Sequence, residues 1–257
     1  MTIRSTPRVT SAAVQLRGVR KTFGTGAHAV PALDGIDLDV RPGEFVCLLG
    51  ASGCGKSTLL NIVAGLDRPT SGSVVVPPGG AGLMFQEPAL FPWLTARQNV
   101  ELALRLRGVA RSERSAEADR LLARVRLEDQ ATKRPHELSG GMRQRVALAR
   151  ALAQERSLLL MDEPFAALDA ITRDVLHDEL SELQQSSQLT VLFVTHNVRE
   201  AVRLGDRVVL LTSRPGRVAQ EYVIDIPQPR RIESPEVAAR ALAITDDLRE
   251  EIRSHAS

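Results

Sequence analysis

The stretch Leu48-Leu49-Gly50-Ala51-Ser52-Gly53-Cys54-Gly55-Lys56-Ser57-Thr58 joins a predicted strand to a predicted helix. On its N-terminal side, Glu44 to Leu49 contains Phe-Val-Cys-Leu-Leu, an apolar run typical of a buried strand. On its C-terminal side, Ser57 to Ala64 has apolar residues at helical spacing. Between them, Gly50 to Ser57 matches the pattern G-x-x-x-x-G-K-[ST] in full. This succession of strand, glycine-rich loop and helix predicts an α/β fold.

The loop itself predicts a polyphosphate site. Glycines let the backbone curl so that successive amides point at an anion, and the helix that follows adds its free N-terminal donors. We expect Lys56 to reach the β and γ phosphates of such a ligand and Ser57 to give its hydroxyl to Mg²⁺. The alternative is a glycine-rich turn with an incidental Lys-Ser pair. The nucleotide-binding residues predicted from the loop are Gly50, Ala51, Ser52, Gly53, Cys54, Gly55, Lys56, Ser57 and Thr58.

Two acidic residues follow a second apolar run. Leu158 to Met161 is followed by Asp162 and Glu163, so both carboxylates are predicted at the carboxyl end of a buried strand, where open α/β sheets bind ligands. We expect Asp162 on the Mg²⁺ side, directly or through water, and Glu163 as the general base that holds the attacking water. The alternative is a strand that ends in a solvated acidic turn.

Further apolar runs extend the predicted sheet. Leu158 to Met161, Val191 to Thr195 and Arg207 to Leu211 read as continuous apolar strands, and a helix-like stretch from Ile171 to Gln185 separates the first two. Such strands alternating with helices are typical of a parallel sheet covered on both faces. From about Pro92 to Gln154 the pattern is mainly helical.

The remaining segments are assigned more simply. Val14 to Val19 is predicted as an edge strand, Ile36 to Val40 as a strand, and Ser73 to Val76 with Gly82 to Phe85 as a short antiparallel pair across Pro77-Pro78-Gly79-Gly80. The tail from Pro227 is charged and broken by prolines, then weakly helical from Pro235 to Ile252. We expect it to be a peripheral appendage.

Composition narrows the class of protein. The 257 residues are 43% hydrophobic and 25% charged, as in ordinary globular proteins, which excludes disordered and fibrous classes. Thirty-three basic against 31 acidic residues leave too little excess charge for phosphate neutralisation, so we expect no nucleic-acid partner. Cys47 and Cys54 lack disulfide or metal spacing and fit a reducing compartment. A thiol near a helix N-terminus can be reactive, but we favour Cys54 as a small spacer. No secretory leader or membrane span is recognised, so we expect a cytoplasmic chain.

A further motif, Leu138-Ser139-Gly140-Gly141-Met142-Arg143-Gln144-Arg145, resembles the signature motif of the ATPase subunits of ABC transporters. On its own chemistry, Ser139 is a good N-cap, and Gly140 and Gly141 expose the amides of a helix start as a second anion site. The resemblance implies a P-loop NTPase (RecA-like) parallel sheet core with an antiparallel β subdomain and an inserted helical subdomain. It also implies a head-to-tail ATP-sandwich dimer, in which each signature motif closes over the ATP of the second copy.

The same resemblance assigns four more residues. Phe23 resembles the aromatic residue that stacks on adenine, although a lone phenylalanine near a strand can equally be core. Gln86 resembles the Q-loop glutamine that approaches Mg²⁺ and the attacking water. Asp169, in Ala167-Leu168-Asp169, resembles the D-loop at the dimer contact, and His196 resembles the switch histidine at the γ phosphate. The resemblance therefore implies Glu163, His196 and Gln86 as catalytic residues and Ser57, Gln86 and Asp162 as metal ligands.

The resemblance also implies partners and a location. Without a span of its own, the chain is expected to work with integral membrane permease subunits, and indirectly with a solute-binding protein, at the cytoplasmic face of the membrane. Phe91 and Trp93 lie where the family receives the permease; the alternative is that they anchor the helical part to the core. The predicted boundaries are residues 1–13 for an N-terminal tail, 14–226 for the ATPase domain, about 92–154 for its helical part and 227–257 for a C-terminal extension.

The cargo is the least specific expectation. Leu211 to Val218 and Ile224 to Arg230 resemble importers of the nitrate, sulfonate and bicarbonate group, and we interpret them as marks of ancestry rather than a pocket. We expect import of small oxyanions, with aliphatic sulfonates or taurine ahead of nitrate. The alternatives are another small metabolite, such as a thiamine precursor, or a soluble ABC-type ATPase that moves DNA or protein.

Overall fold

The computed structural model describes residues 12–254 of the chain. Its strands, all within that range, are β1 (Val14–Phe23), β2 (Val30–Val40), β3 (Phe45–Leu49), β4 (Ser71–Val75), β5 (Gly82–Met84), β6 (Leu158–Asp162), β7 (Thr190–Val194), β8 (Arg207–Leu211) and β9 (Val218–Val223). Its helices are α1 (Lys56–Val63), α2 (Ala96–Arg107), α3 (Arg111–Arg124), α4 (Gly140–Leu152), α5 (Ala170–Ser187), α6 (Val198–Leu204) and α7 (Pro235–Ser254). Among these helices, none is both long and apolar enough to cross a membrane.

A six-stranded sheet in the order β5-β6-β7-β3-β8-β9 forms the core, and its strands are parallel except for β9. Successive residues of a strand point to opposite faces, so β3 sends Phe45, Cys47 and Leu49 into one apolar cluster and Val46 and Leu48 into the other. The sheet is thus covered on both faces, as the apolar runs of the sequence predict. The predicted α/β fold with a parallel core is confirmed.

A second sheet of three antiparallel strands, in the order β2-β1-β4, supplies the antiparallel part of the fold. Two expectations about it are wrong. The predicted edge strand at Val14 to Val19 lies in β1, which is the middle strand. The predicted antiparallel pair of Ser73–Val76 with Gly82–Phe85 does not form, because β4 pairs with β1 whereas β5 pairs in parallel with β6.

The physical reason for the second error is burial. Gly82 and Met84 of β5 are buried in the central sheet, whereas the residues of β4 are mostly exposed. The link Pro77 to Gly80 does contain a tight turn, with the Gly80 amide donating to the Pro77 carbonyl at 3.0 Å. That turn carries the chain from one sheet to the other instead of closing a hairpin.

Helices α2, α3 and α4 lie between β5 and β6 in the sequence and share one apolar cluster with the face of the sheet that carries Phe45. Helix α2 begins with a capping box, in which Thr95 accepts from the Gln98 amide while Gln98 accepts from the Thr95 amide. These helices match the predicted helical region, whose boundaries at about 92 and 154 stay predictions. The predicted tail at 1–13 lies almost entirely outside the described residues.

The C-terminal segment is not the expected peripheral appendage. Val237, Ala241 and Ile244 of α7 are fully or almost fully buried in the cluster that also holds Val202 of α6. The buried Arg230 fixes the connection, since its guanidinium donates to the carbonyls of Val202 at 2.8 Å, Gly205 at 2.6 Å, Ile224 at 3.1 Å and Ile226 at 2.7 Å. The expectation was wrong because sparse apolar residues at helical spacing suffice to bury one face of a helix.

Candidate functional site

An open cleft of about 690 Å³ lies at the carboxyl ends of β3 and β6. Five separate segments of the chain contribute to it: β1 with β2, the glycine-rich loop, the segment after β5, the end of β6 and the loop after β8. The lining residues are Phe23, Val30, Pro31, Ala32, Ser52, Gly53, Gly55, Lys56, Ser57, Thr58, Gln86, Asp162, Glu163 and Arg214. The structure therefore gathers predicted nucleotide, metal and catalytic residues around one space.

The glycine-rich loop holds its shape through close contacts that exclude side chains. A Cβ on Gly50 would lie 2.7 Å from Cys54 Sγ, and one on Gly55, whose φ is +102°, would lie 2.6 Å from a methyl group of Leu33. Lys56 is 5% exposed, and its ammonium donates to the carbonyls of Gly50 at 2.8 Å and Ala51 at 3.0 Å. The loop is thus folded around its own lysine at the start of α1.

Cys54 lies inside this loop and does not line the cleft. It is 1% exposed, and its sulfur is 3.7 Å from the Lys56 ammonium. Cys47 is also buried, and burial raises the pKa of its thiol well above the ordinary value. Both cysteines are free thiols. The position of Cys54 fits an internal spacer, as the sequence favours.

Two of the residues predicted to hold Mg²⁺, Ser57 and Asp162, are among the residues that line the cleft. Ser57 lies at the start of α1 and Asp162 at the end of β6. Burial raises the pKa of Asp162, the hydrogen bond from Ser57 lowers it, and the charge of Glu163 raises it. Hydroxyl and carboxylate oxygens are ligands that Mg²⁺ accepts, usually with phosphate oxygens and water completing its shell. The residues present therefore fit a magnesium ion shared with a nucleotide.

Glu163 faces a different way from Asp162. Its backbone has a φ of 43°, unusual for a residue with a side chain, and its amide donates to the Val194 carbonyl of β7 at 3.0 Å. Its carboxylate Oε2 lies 2.9 Å from Nδ1 of His196, whose side chain is 65% exposed. His196 does not line the main cleft but a small depression beside it, which it shares with Glu163 and Asn197. Backbone strain of this kind is concentrated at functional positions.

The residues predicted from the signature and D-loop motifs lie elsewhere. Ser139 caps α4 by accepting from the Met142 amide at 3.2 Å, and Asp169 caps α5 by accepting from the Thr172 amide at 3.0 Å, a bond that lowers the pKa of Asp169. Ser139, Gly140, Gly141 and Asp169 are not among the cleft-lining residues. Within one chain, the predicted second anion site is therefore separate from the glycine-rich loop.

Gln86 and Phe23 both reach the cleft. Gln86 is exposed, and its backbone carbonyl accepts from the buried Gln144 side chain of α4 at 2.8 Å, which ties the Gln86 segment to α4. Phe23 is 47% exposed, with the Lys21 ammonium 4.9 Å from the centre of its ring. Phe23 is therefore not a core residue.

Sequence reasoning missed Arg214 and the Pro31-Ala32 segment of β2. Arg214 belongs to the stretch interpreted only as a mark of ancestry, yet it lines the cleft and donates from Nε to the Gly53 carbonyl at 3.2 Å. A local signal for this contact is absent, because Arg214 reaches the loop through the pairing of β8 with β3.

Comparisons with known proteins agree with the geometry. The sequence model of the family described as "ABC transporter" matches residues 33–166. The chain is 51% identical over 199 residues to a taurine import ATP-binding protein of Mesorhizobium japonicum, covering 75% of this chain and 77% of that one. It is 45% identical over 221 residues to a nitrate import ATP-binding protein of Synechocystis sp., covering 83% of each. A dimeric ATP-binding cassette solved in a post-hydrolysis state with ADP and Pi matches with a TM-score of 0.74 and 36% identity, over 83% of this chain and 100% of that one.

Proposed function

The chain belongs to the ABC transporter family, and on that premise we propose that it is the ATP-hydrolysing subunit that powers an importer of small oxyanions. The observation that carries the proposal is the cleft in which the glycine-rich loop, Asp162 and Glu163 meet. A polyphosphate-binding loop, a metal-side carboxylate and a separately oriented carboxylate are the groups that ATP hydrolysis needs.

In the proposed reaction, the amides of the glycine-rich loop and Lys56 bind the β and γ phosphates of ATP. Mg²⁺, held on the side of Ser57 and Asp162, would neutralise phosphate charge when bound. Glu163 accepts a proton from a water molecule as the water oxygen bonds to the γ phosphorus and the bond to the ADP oxygen breaks, which yields ADP and phosphate. His196, 2.9 Å from the Glu163 carboxylate, orients that carboxylate. Gln86 lines the same cleft.

We propose that the site is completed by a second copy of the chain. The helix start at Ser139 to Gly141 has donors for an anion but lies away from the chain's own cleft. A head-to-tail dimer would place it, with Asp169, against the ATP bound to the other copy. The dimeric arrangement of the similar solved cassette supports this proposal.

The proposed contact with permease subunits rests on Phe91 and Trp93. Their rings are 5.5 Å apart, and Trp93 is 66% exposed, so it does not anchor the helices to the core. The buried Asn99 fixes this segment by accepting from the Phe91 amide at 2.9 Å and donating to the Leu94 carbonyl at 3.3 Å. A rigidly held, exposed aromatic pair is suited to a protein partner. The location that follows is the cytoplasmic face of the membrane, with a solute-binding protein reached through the permease.

The proposed cargo is an aliphatic sulfonate or taurine, with nitrate as the next candidate. Relatives named for taurine and for nitrate import, at 51% and 45% identity, support this group. Import of another small metabolite, such as a thiamine precursor, is the alternative.

The catalytic proposal is tested with Glu163→Gln. We expect phosphate release to fall by at least about 100-fold, because the base is lost, while ATP binding is retained and the dimer accumulates. Phosphate release, equilibrium ATP binding and light scattering after size-exclusion chromatography measure the three effects. Glu128→Gln, an exposed residue away from the cleft, is the matched control. Hydrolysis near the wild-type rate would exclude Glu163 as the base.

The cargo is tested by growth of a strain that lacks this gene, on taurine or an alkanesulfonate as sole sulfur source with sulfate as control. Loss of growth on the sulfonate alone, restored by the wild-type gene but not by Glu163→Gln, supports sulfonate import. Normal growth on both would redirect the search to nitrate. A protein that stays soluble and never co-purifies with a membrane subunit would contradict the transporter proposal.

A further inference from the structure

We propose that Arg214 is an additional ATP-binding residue, whose guanidinium binds the polyphosphate of the nucleotide. The proposal rests on the ATP site proposed above and adds a group outside the motifs that predict that site. Arg214 is exposed and lies in the loop that joins β8 to β9, where it lines the cleft together with Ser52, Gly53 and Lys56.

The guanidinium lies directly against the phosphate loop. Its Nε donates to the Gly53 carbonyl at 3.2 Å, and a Cβ on Gly53 would lie only 2.5 Å from its Nη2 atom. Among residues 12–254, Gly53 is the one hydrogen-bond acceptor that Arg214 has. A guanidinium has several N–H donors in a planar fork suited to phosphate oxygens, so donors remain for a ligand in the cleft.

The charge balance of the cleft lining depends on this arginine. The ionisable groups that line it are Lys56, Arg214, Asp162 and Glu163, two positive and two negative. The Lys56 ammonium is nearly buried and already donates to two loop carbonyls, so Arg214 is the exposed cation among the described residues of the lining. Without it, the two carboxylates would outweigh the remaining positive charge next to an anionic ligand.

The loop that carries Arg214 is rigidly attached. The Gly216 amide donates to the Ala32 carbonyl of β2, and the Asp34 amide donates to the Gly216 carbonyl, each at 2.9 Å. Gly216 also packs so closely on the phosphate loop that a Cβ there would lie 2.2 Å from the Cys54 carbonyl oxygen. Arg214 is therefore held at the cleft before any ligand binds, which lowers the entropic cost of a contact.

Arg217 provides a matched control from the same loop. Its guanidinium forms an ion pair with Asp34 of β2, and it does not line the cleft. The variant Arg217→Gln therefore removes one positive charge from this loop but leaves the proposed contact of Arg214 with the ligand intact.

The test is equilibrium binding of ATP, in EDTA to prevent hydrolysis, to the wild-type protein and to Arg214→Gln, Arg214→Lys, Arg217→Gln and Lys56→Ala. We expect Arg214→Gln to raise the Kd for ATP about tenfold or more, because a charge-assisted hydrogen bond is lost. Arg214→Lys, which keeps the charge, should recover part of the affinity, and Arg217→Gln should match the wild type. The Kd for AMP, which lacks the β and γ phosphates, should change much less.

The alternatives give different results. If Arg214 only donates a hydrogen bond to the Gly53 carbonyl, a glutamine or a lysine at this position can do the same. The variants Arg214→Gln and Arg214→Lys will then bind ATP with equal affinity, and the proposal is wrong. If Arg214→Gln binds like the wild type while Lys56→Ala loses ATP, the ATP site stands without Arg214. If Lys56→Ala also binds normally, the ATP site itself is contradicted.

Discussion

Two adjacent carboxylates, Asp162 and Glu163, have different surroundings. Asp162 is the last residue of β6, and Ser57 lowers the pKa of its carboxylate. Glu163 has a left-handed backbone, and its carboxylate contacts His196 instead. The sequence predicts both acids and their strand end. It does not predict the left-handed backbone of Glu163, or that its amide donates to the Val194 carbonyl on a strand far along the chain.

At this scale we predict that Asp162→Asn stabilises the nucleotide-free protein at neutral pH. Burial raises the pKa of Asp162 above the ordinary value of 3.8, so the folded state binds its proton more tightly than the unfolded state does. The ionised carboxylate therefore lowers the free energy of unfolding above the folded-state pKa, and this penalty disappears as the pH falls toward 3.8. Urea unfolding at pH 7 and at lower pH measures it.

The same substitution should weaken Mg²⁺-dependent nucleotide binding, because the carboxylate proposed for the Mg²⁺ side of the site is replaced by a neutral amide. Asp225→Asn, an exposed residue outside the cleft, controls for the loss of one charge. Equal stability of Asp162→Asn and the wild type at pH 7 would show that burial of Asp162 carries no penalty.

At the scale of elements, the start of α4 is fitted tightly to α5. Gly141 is buried there, and a Cβ would lie 2.4 Å from the Cγ2 methyl of Thr172. Further along the same pair of helices, Arg145 and the buried Glu179 form an ion pair at 3.0 Å. From the sequence, we interpret Gly141 as a residue that exposes the amides of a helix start to an anion. The structure adds that its missing side chain is needed within the chain itself.

We predict that Gly141→Ala lowers the free energy of unfolding by about 1–3 kcal/mol, the usual cost of overpacking. Helix propensity alone gives the opposite sign, since alanine is favoured over glycine in a helix by roughly 1 kcal/mol. Thr172→Ser removes the opposing methyl, so the double variant should recover most of the loss. Chemical denaturation of the two single variants and the double variant measures this coupling. A stabilised Gly141→Ala would mean that the helices separate easily.

Elements also show where sequence reasoning fails. Short-range patterns predict that β4 and β5 are strands, but they do not predict which sheet each strand joins. That choice depends on burial against β6, which lies far along the chain. Arg214 was missed for the same reason, since the strands that bring it to the phosphate loop are β3 and β8. The motifs with their own local chemistry, around Lys56 and Asp162, were predictable because strand, loop and helix are contiguous there.

At the scale of the whole molecule, the C-terminal segment is part of the core. Arg230 donates to backbone carbonyls on both sides of the junction between α6 and the tail, and Tyr222 of β9 donates to Asp247 of α7 at 2.6 Å. Burial, followed by the hydrogen bond to Asp247, raises the pKa of Tyr222 above the ordinary value of 10.0. The segment therefore ties the antiparallel edge of the central sheet to its helical cover.

We predict that Arg230→Gln lowers the free energy of unfolding by about 2–4 kcal/mol, because several buried carbonyls lose a donor. Arg231→Gln, at the exposed neighbouring position, should change it by less than about 0.5 kcal/mol. Thermal and urea unfolding measure both variants. If Arg230→Gln is as stable as Arg231→Gln, water satisfies those carbonyls and the tail contributes little.

The position of β3 in the central sheet has a consequence for biosynthesis. This strand, which leads into the glycine-rich loop, lies between β7 and β8, and more than half of the chain separates it from β7. At translation rates of ~5–20 residues per second, a ribosome needs on the order of ten seconds to make the intervening chain. During that interval the apolar strand β3 has neither β7 nor β8 to pair with, so it is exposed to aggregation. A nascent chain halted before β8 would carry every residue of the glycine-rich loop but would lack Gly216 and Arg214, which pack against that loop in the complete fold.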